Sequence, residues 1–281
     1  MAKEINWYPG HMKKTRELMC ESLKIVDASI ELLDARIPVS SRNPVIDEIL
    51  SSNENKCRII LLNKSDLADS QVNILWQERL AKGGAKVFLT DSSSGRGLRP
   101  LLDYLKNLEG RRNDIARVKR ALRIMIIGIP NVGKSTLINQ LAERKGAKTG
   151  DRPGVTRGKQ WITLKNKMQL LDTPGILWPK FEDPQVGLKL AFCGAIKDEI
   201  MDITDLSFEL IKELKLVAPE AVAKRYGIES DIEDTLAVME AIAVKRGFLM
   251  GGGRIDYERT ARCIIMEFRA GQLGCISLER P

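Results

Sequence analysis

The chain is poor in the residues that build metal and redox centres. It holds a single histidine, His11, and five cysteines (Cys20, Cys57, Cys193, Cys263 and Cys275) without a CxxC pair. That spacing argues against a zinc site and fits reduced thiols in a cytoplasmic protein. No apolar run approaches the ~20 residues that cross a bilayer. Residues 1–7 (MAKEINW) contain no apolar signal core, so neither a membrane nor secretion is expected. Internal repeats and low-complexity tracts are also missing. What is left is a soluble globular composition, 43% hydrophobic and 29% charged. Its 281 residues suffice for one sizeable core and a smaller domain.

Charge is unevenly spread along the chain. The formal net charge is +8, yet residues 181–281 carry 13 Lys and Arg against 18 Asp and Glu, a net −5. Residues 1–180 therefore carry 32 basic against 19 acidic side chains, a net +13. Such an excess favours a polyanionic partner, with a solvated lysine-rich surface as the alternative.

Hydrophobic patterning predicts an alternation of strands and helices in the first part. An amphipathic helix is read over 11–23, and strands over 29–34, 58–62, 86–90 and 123–127. Helices are read over 70–82, 98–108 and 134–143, with a basic connector from Arg111 to Arg123. Segments 161–164 and 168–171 flank Lys165-Asn166-Lys167 and suggest a hairpin. This order implies an α/β fold, a doubly wound, mostly parallel sheet with ligand loops at the strand C-termini. Beyond about residue 181 the pattern turns helical, over 185–200, 204–217, 218–226, 231–246 and 256–270. The expected domains are 1–180, with halves 1–110 and 120–180, and an all-helical 181–281.

Three motifs carry chemistry. Gly128-Ile129-Pro130-Asn131-Val132-Gly133-Lys134-Ser135 is a complete P-loop in strand–loop–helix context. There Asn131, Val132, Gly133, Lys134, Ser135 and Thr136 are candidate phosphate contacts. Lys134 would neutralise β/γ oxygens and the Ser135 hydroxyl would ligate Mg²⁺. Asp172-Thr173-Pro174-Gly175 follows as a DxxG, with Asp172 a candidate for Mg²⁺ and Gly175 for the γ-phosphate. Thr156, between them, is a candidate Mg²⁺ ligand sensitive to that phosphate. Asn63-Lys64-Ser65-Asp66 is an NKxD, in which Asp66 accepts from the guanine N1–H and exocyclic amine. Lys64 would pack along the base and Asn63 would tie neighbouring loops. Thr90 and Ser92 fall where a backbone amide can meet guanine O6, although Asp91 between them departs from the usual small pair. Together the motifs imply GTP and GDP as ligands and GTP hydrolysis as the reaction. Ile176 and Leu177 stand where many GTPases place a water-orienting glutamine, so slow intrinsic turnover is expected.

The motif order is rotated: NKxD precedes the P-loop and DxxG. With that order, NWYPGHM at residues 6–12, Asp34-Ala35-Arg36-Ile37-Pro38 and GIPNVGKS, nearly the whole chain resembles the YlqF/RbgA family of circularly permuted GTPases. Neither the OB domain nor the zinc finger of other permuted families is visible. The resemblance implies late assembly of the large (50S) ribosomal subunit, with hydrolysis stimulated by the particle and a helical C-terminal domain on ribosomal RNA. It implies that His11 replaces the missing glutamine. Asn131 is similar to the P-loop asparagine of potassium-activated GTPases, which makes K⁺ a second candidate cofactor, or else it is a turn former. A monomer is expected. A regulatory switch with a protein effector is the alternative function. On the last helix, Ala261, Ile264, Ile265 and Phe268 share one face, flanked by Arg259, Arg262 and Arg269. Those arginines, with Lys245, Arg246 and Arg254, could meet phosphates or pair with the domain's own carboxylates. The permutation also places Gly175 about ten residues before the helical part.

Overall fold

The short apolar runs read from the sequence become strands buried on both faces, as parallel strands require. β1 (Ala28–Asp34), β2 (Cys57–Asn63), β3 (Lys86–Leu89), β4 (Arg123–Gly128), β5 (Gln160–Thr163) and β6 (Gln169–Asp172) form one six-stranded sheet in the order β3-β2-β1-β4-β6-β5. In this computed structural model the described residues are 17, 19–51, 57–116, 118–142, 160–164, 167–173 and 183–281. All neighbouring strands run parallel except β5, which pairs antiparallel with β6 as the predicted hairpin. Strand order reverses between β1 and β4, so the crevice at their C-terminal ends is the natural ligand position.

The two-residue period of the strands divides the core. Ile30, Leu32, Ile59, Leu61, Ile124 and Ile126 face one side. On the other side, Met125, Ile127 and Leu171 pack with Met19 and Leu23 of α1 (residues 19–25) and with Ile46 and Ile49 of α2 (Pro44–Ser51). Leu33, Ile60, Leu62 and Val87 join Val72 and Trp76 of α3 (Ser70–Ala81). α4 (Leu98–Ile115) runs seven residues past the predicted end at 108, into the segment read as a basic connector. Glu109, Arg111 and Arg112 in the added turns favour a helix, and the extension carries Gly110, Asn113 and Asp114 despite their poorer propensity. Arg112 there reaches Asp27 at 3.2 Å. α5 (Lys134–Ala142) follows the P-loop.

The helical part comprises α6 (Pro184–Phe192), α7 (Ile203–Val217), α8 (Pro219–Tyr226), α9 (Thr235–Arg246) and α10 (Tyr257–Arg269). Asp183, Asp202 and Asp234 cap three of these helices with side-chain bonds to first-turn N–H groups. The helix read over 185–200 is two pieces. Gly194, at φ 77°, ends α6, and a 3-10 turn at Asp198–Ile200 follows. The helix read from 231 begins at Thr235, where Asp234 can cap it. Ala261, Ile264, Ile265 and Phe268 are all buried, and they share the sheet's main apolar cluster with Leu190, Leu210 and Leu214. Past α10 the chain does not trail away. Residues 271–279 return to the sheet edge beside the β2–α3 loop. Among the described residues no helix is long and apolar enough to cross a membrane.

Candidate nucleotide site

β2 delivers Asn63 and β4 delivers Gly128 to the same edge of the sheet, with Asp34 of β1 between them. Asn63 is buried and its side chain is bonded at both ends of the amide. Nδ2 donates to the Val132 carbonyl at 2.7 Å. Oδ1 accepts from the Ser92 N–H at 3.0 Å, the Ser92 hydroxyl at 2.7 Å and the Thr90 hydroxyl at 3.3 Å. One amide thus joins the NKxD loop, the β3–α4 loop and the P-loop. Gly133 is the counterpart of this contact. Its φ is 104°, and a Cβ there would stand 2.3 Å from Asn63 Nδ2, so only glycine lets the loops close.

The P-loop wraps the start of α5. Asn131 sits at φ 56°, the left-handed turn geometry that asparagine tolerates. Its Nδ2 donates to the Gly194 carbonyl at 2.7 Å, which ties the loop to the first turn beyond α6. Val132 is buried beneath the loop. Lys134 Nζ donates to the carbonyls of Gly128 and Ile129 at 2.9 and 2.7 Å. Ser135 and Thr136 are half-buried in the first turn of α5. The α5 N-terminus points its backbone N–H groups outward at this edge, which suits an anion. Asp172 ends β6, in register with Ile126 of β4. The next residue, Thr173, donates its hydroxyl to the Ile126 carbonyl at 2.6 Å. His11, Thr156 and Gly175 lie outside the described residues, as do Ile176 and Leu177.

The β3–α4 loop owes its shape to Asp91, the residue that departs from the small pair. Its carboxylate accepts from the Ser93 N–H at 2.8 Å and from the Ser94 N–H and hydroxyl. Burial works to raise its pKa, but these bonds outweigh it and hold the carboxyl below the usual range.

Sequence reasoning missed the ion-pair node behind the NKxD loop. Arg36 is fully buried and binds Asp34 through two arms, Nε to Oδ1 at 2.9 Å and Nη2 to Oδ2 at 2.8 Å. Asp34 Oδ2 also lies 3.1 Å from Lys64 Nζ. Burial alone would raise the Asp34 pKa, yet the Arg36 and Lys64 charges and the bonds from Arg36 hold it well below the usual carboxylate range. The Arg36 guanidinium lies 5.4 Å from the centre of the Phe268 ring of α10. The Cys193 thiol nearby is pushed up to about 12, chiefly by burial, and so stays neutral. The signal was in the sequence as Asp34-Ala35-Arg36-Ile37-Pro38, which marks a strand end but does not say where the arginine goes.

The basic residues of the helical part divide in two. Arg269 is an internal tether: it donates to the Phe192 and Ala191 carbonyls at 3.0 and 2.7 Å and pairs with Asp198 at 2.7 Å. Arg246 binds Glu267 at 2.9 Å, as does Arg225 at 2.8 Å. The sequence wheel left Arg269 either to meet phosphates or to pair with the domain's own carboxylates, and its bond to Asp198 is the second outcome; what a wheel does not show is α6 packed across that flank. Lys245, Arg254, Arg259 and Arg262 remain exposed, with Arg262 in a surface pair with Glu258.

These loops, in rotated chain order on the C-terminal edge of a mostly parallel sheet, define a circularly permuted P-loop GTPase with a helical C-terminal part. A family model described as "50S ribosome-binding GTPase" matches residues 123–239. The chain is 48% identical to Ribosome biogenesis GTPase A of Priestia megaterium, over 99% of this chain and 97% of that one. It is 35% identical to mitochondrial ribosome-associated GTPase 1 of Bos taurus, over 98% and 88%. The solved GDP-bound TM YlqF superposes with a TM-score of 0.67 at 32% identity, covering 94% of this chain and 98% of that one. The chain belongs to the Ribosome biogenesis GTPase A family and is a GTP hydrolase.

Proposed function

We propose that this ribosome-assembly GTPase acts late on the large ribosomal subunit precursor, binds it in the GTP state and leaves on hydrolysis. The observation that supports the reading is the Asn63 junction, which brings the NKxD loop and the P-loop together at the strand-order reversal. In this reading Asp66 reads guanine, Lys64 packs along the base, and Thr90 and Ser92 frame its far edge. Val132, Gly133, Lys134, Ser135 and Thr136 cradle the phosphates, with Gly175 at the γ-phosphate.

The donor set fits Mg²⁺. A hydroxyl at the start of α5 and a carboxylate ending the neighbouring parallel strand are hard oxygen ligands, with no imidazole or thiolate among them. Ser135, Asp172 and Thr156 would hold the ion, whose chemistry is to neutralise charge on the phosphate oxygens. The Asn131 amide oxygen would meet K⁺. His11 would orient the attacking water, because Ile176 and Leu177 have no group that can.

The exposed Lys245, Arg254, Arg259 and Arg262 would meet ribosomal RNA from residues 181–281, while 1–180 forms the GTPase domain. The protein would work as a cytoplasmic monomer. Two measurements test the reading. GTP turnover should rise severalfold with large-subunit particles, and an unchanged rate would remove the particle as activator. Asp66→Asn should weaken GTP binding by tenfold or more, and unchanged affinity would sink the guanine assignment.

A further inference from the structure

The chain's last segment closes on the loop that carries Asp66. The Cys275 thiol donates to the Asp66 carbonyl at 3.1 Å. The Ile276 N–H donates to the Leu67 carbonyl at 3.0 Å. The Ser277 hydroxyl accepts from the Asp69 N–H at 3.1 Å. Gly271 lies against Leu67 so closely that a Cβ would stand 2.7 Å from its Cδ2. Three polar bonds from consecutive tail residues thus land on three residues of one loop, Asp66, Leu67 and Asp69, more than 200 positions away in sequence.

The segment is itself anchored. Ile276, Ser277, Leu278 and Glu279 are buried. The Leu278 N–H donates to the Arg36 carbonyl at 2.9 Å, and the Trp76 indole N–H donates to the Glu279 carbonyl at 3.1 Å. The Glu279 carboxylate caps the loop after β1, accepting from the Val39 N–H at 2.6 Å and from the Ser40 N–H and hydroxyl. The other side of the guanine loop is held by the Ser65 N–H, which donates to the Thr90 carbonyl at 3.1 Å. Asp66 therefore sits between a clamp made by the β3–α4 loop and one made by the tail.

We propose that residues 275–277 form a positioning strap that sets the Asp66 carboxylate against guanine, so that the end of the chain helps determine base selectivity. The inference rests on Asp66 being the guanine reader. A tail that merely covered apolar surface would need Leu273, Ile276 and Leu278 and no bonds to the loop backbone. Here each bond fixes a carbonyl or N–H of Asp66 or of a residue within three positions of it. Losing one lets the loop relax by tenths of an ångström, enough to misalign a two-point hydrogen bond while leaving the phosphate loop untouched.

The test compares GTP with ITP, which lacks the exocyclic amine and offers Asp66 one bond in place of two. Wild type should prefer GTP. Cys275→Ala and Ser277→Ala should each lower the GTP-to-ITP affinity ratio, the pair together by about five- to tenfold, with ITP affinity nearly unchanged. Cys275→Ser, which keeps a donor, should restore most of the ratio. Equal loss of both affinities, or no change, would overturn the strap as a selectivity element. No preference in wild type would instead sink the guanine reading of Asp66 beneath it. Without any variant, GDP should slow iodoacetamide alkylation of Cys275 severalfold, mapped by mass spectrometry, since a loop that holds the base also holds the thiol. A rate indifferent to GDP counts against the coupling.

Discussion

Lys64 Nζ lies 3.1 Å from Oδ2 of Asp34, a carboxylate already bound through two arms by Arg36. The lysine assigned to the guanine base is thus fixed by the end of the neighbouring strand, and one buried anion serves two cations. Asp34→Asn removes that anion and leaves Arg36 buried with its charge unmatched. Breaking such a pair costs about 3–5 kcal/mol, which chemical denaturation at neutral pH will show. The sign with pH follows from the depressed Asp34 carboxyl. Its contribution is complete above the unfolded carboxylate range and is lost as pH falls through and below it. The stability gap between wild type and Asp34→Asn should therefore be constant from about pH 5 to 8 and narrow below about pH 4.

Asn63→Ala tests the junction of the three loops. The substitution leaves the Val132 carbonyl and the Ser92 groups without their amide partner in a buried place. Each unmet group costs about 1–3 kcal/mol. The variant should lose at least that much stability and bind GDP and GTP about tenfold or more weakly. Wild-type nucleotide affinity in a folded Asn63→Ala protein would show that the loops hold their places without it.

Much of this was legible in the sequence because each signal was local. The strands at β2 and β4 were read from unbroken apolar runs, β1 from a short run that Glu31 interrupts, and the hairpin from two runs around Lys165-Asn166-Lys167. The buried face of α10 followed from the helical period of Ala261, Ile264, Ile265 and Phe268. What escaped depends on distant partners. Gly194 looked like one more residue in a helical pattern, and its left-handed turn and its bond to Asn131 appear only once the P-loop is beside it. Arg269 looked like a surface arginine until α6 crossed its flank. Glu279 gave no sign that its carboxylate would cap the backbone at Val39 and Ser40. Periodicity reports which face is buried, not what lies against it.

His11→Ala addresses the chemistry. The side chain would act on water and not on nucleotide, so GTP affinity should stay within about twofold. Particle-stimulated turnover should fall by about a hundredfold, the range for losing a general base or water-orienting group. Unchanged stimulated turnover would remove His11 from the mechanism. Equal loss of binding and turnover would make it a nucleotide ligand.

The two classes of arginine in the helical part give opposite predictions. Arg269 holds the Ala191 and Phe192 carbonyls and Asp198. Arg269→Ala should destabilise the fold by about 1–3 kcal/mol and weaken particle binding only in proportion to the folded fraction. Arg254 and Arg259 are exposed and bind no carboxylate among the described residues; Arg259 lies over the Phe248 ring at 4.6 Å. Substituting both with alanine should change stability by no more than about 1 kcal/mol, the worth of the Arg259–Phe248 contact. If they meet phosphates, particle affinity falls and the slope of its logarithm against log salt drops by about one per residue. An unchanged slope with unchanged affinity would remove this face from the proposed RNA contact.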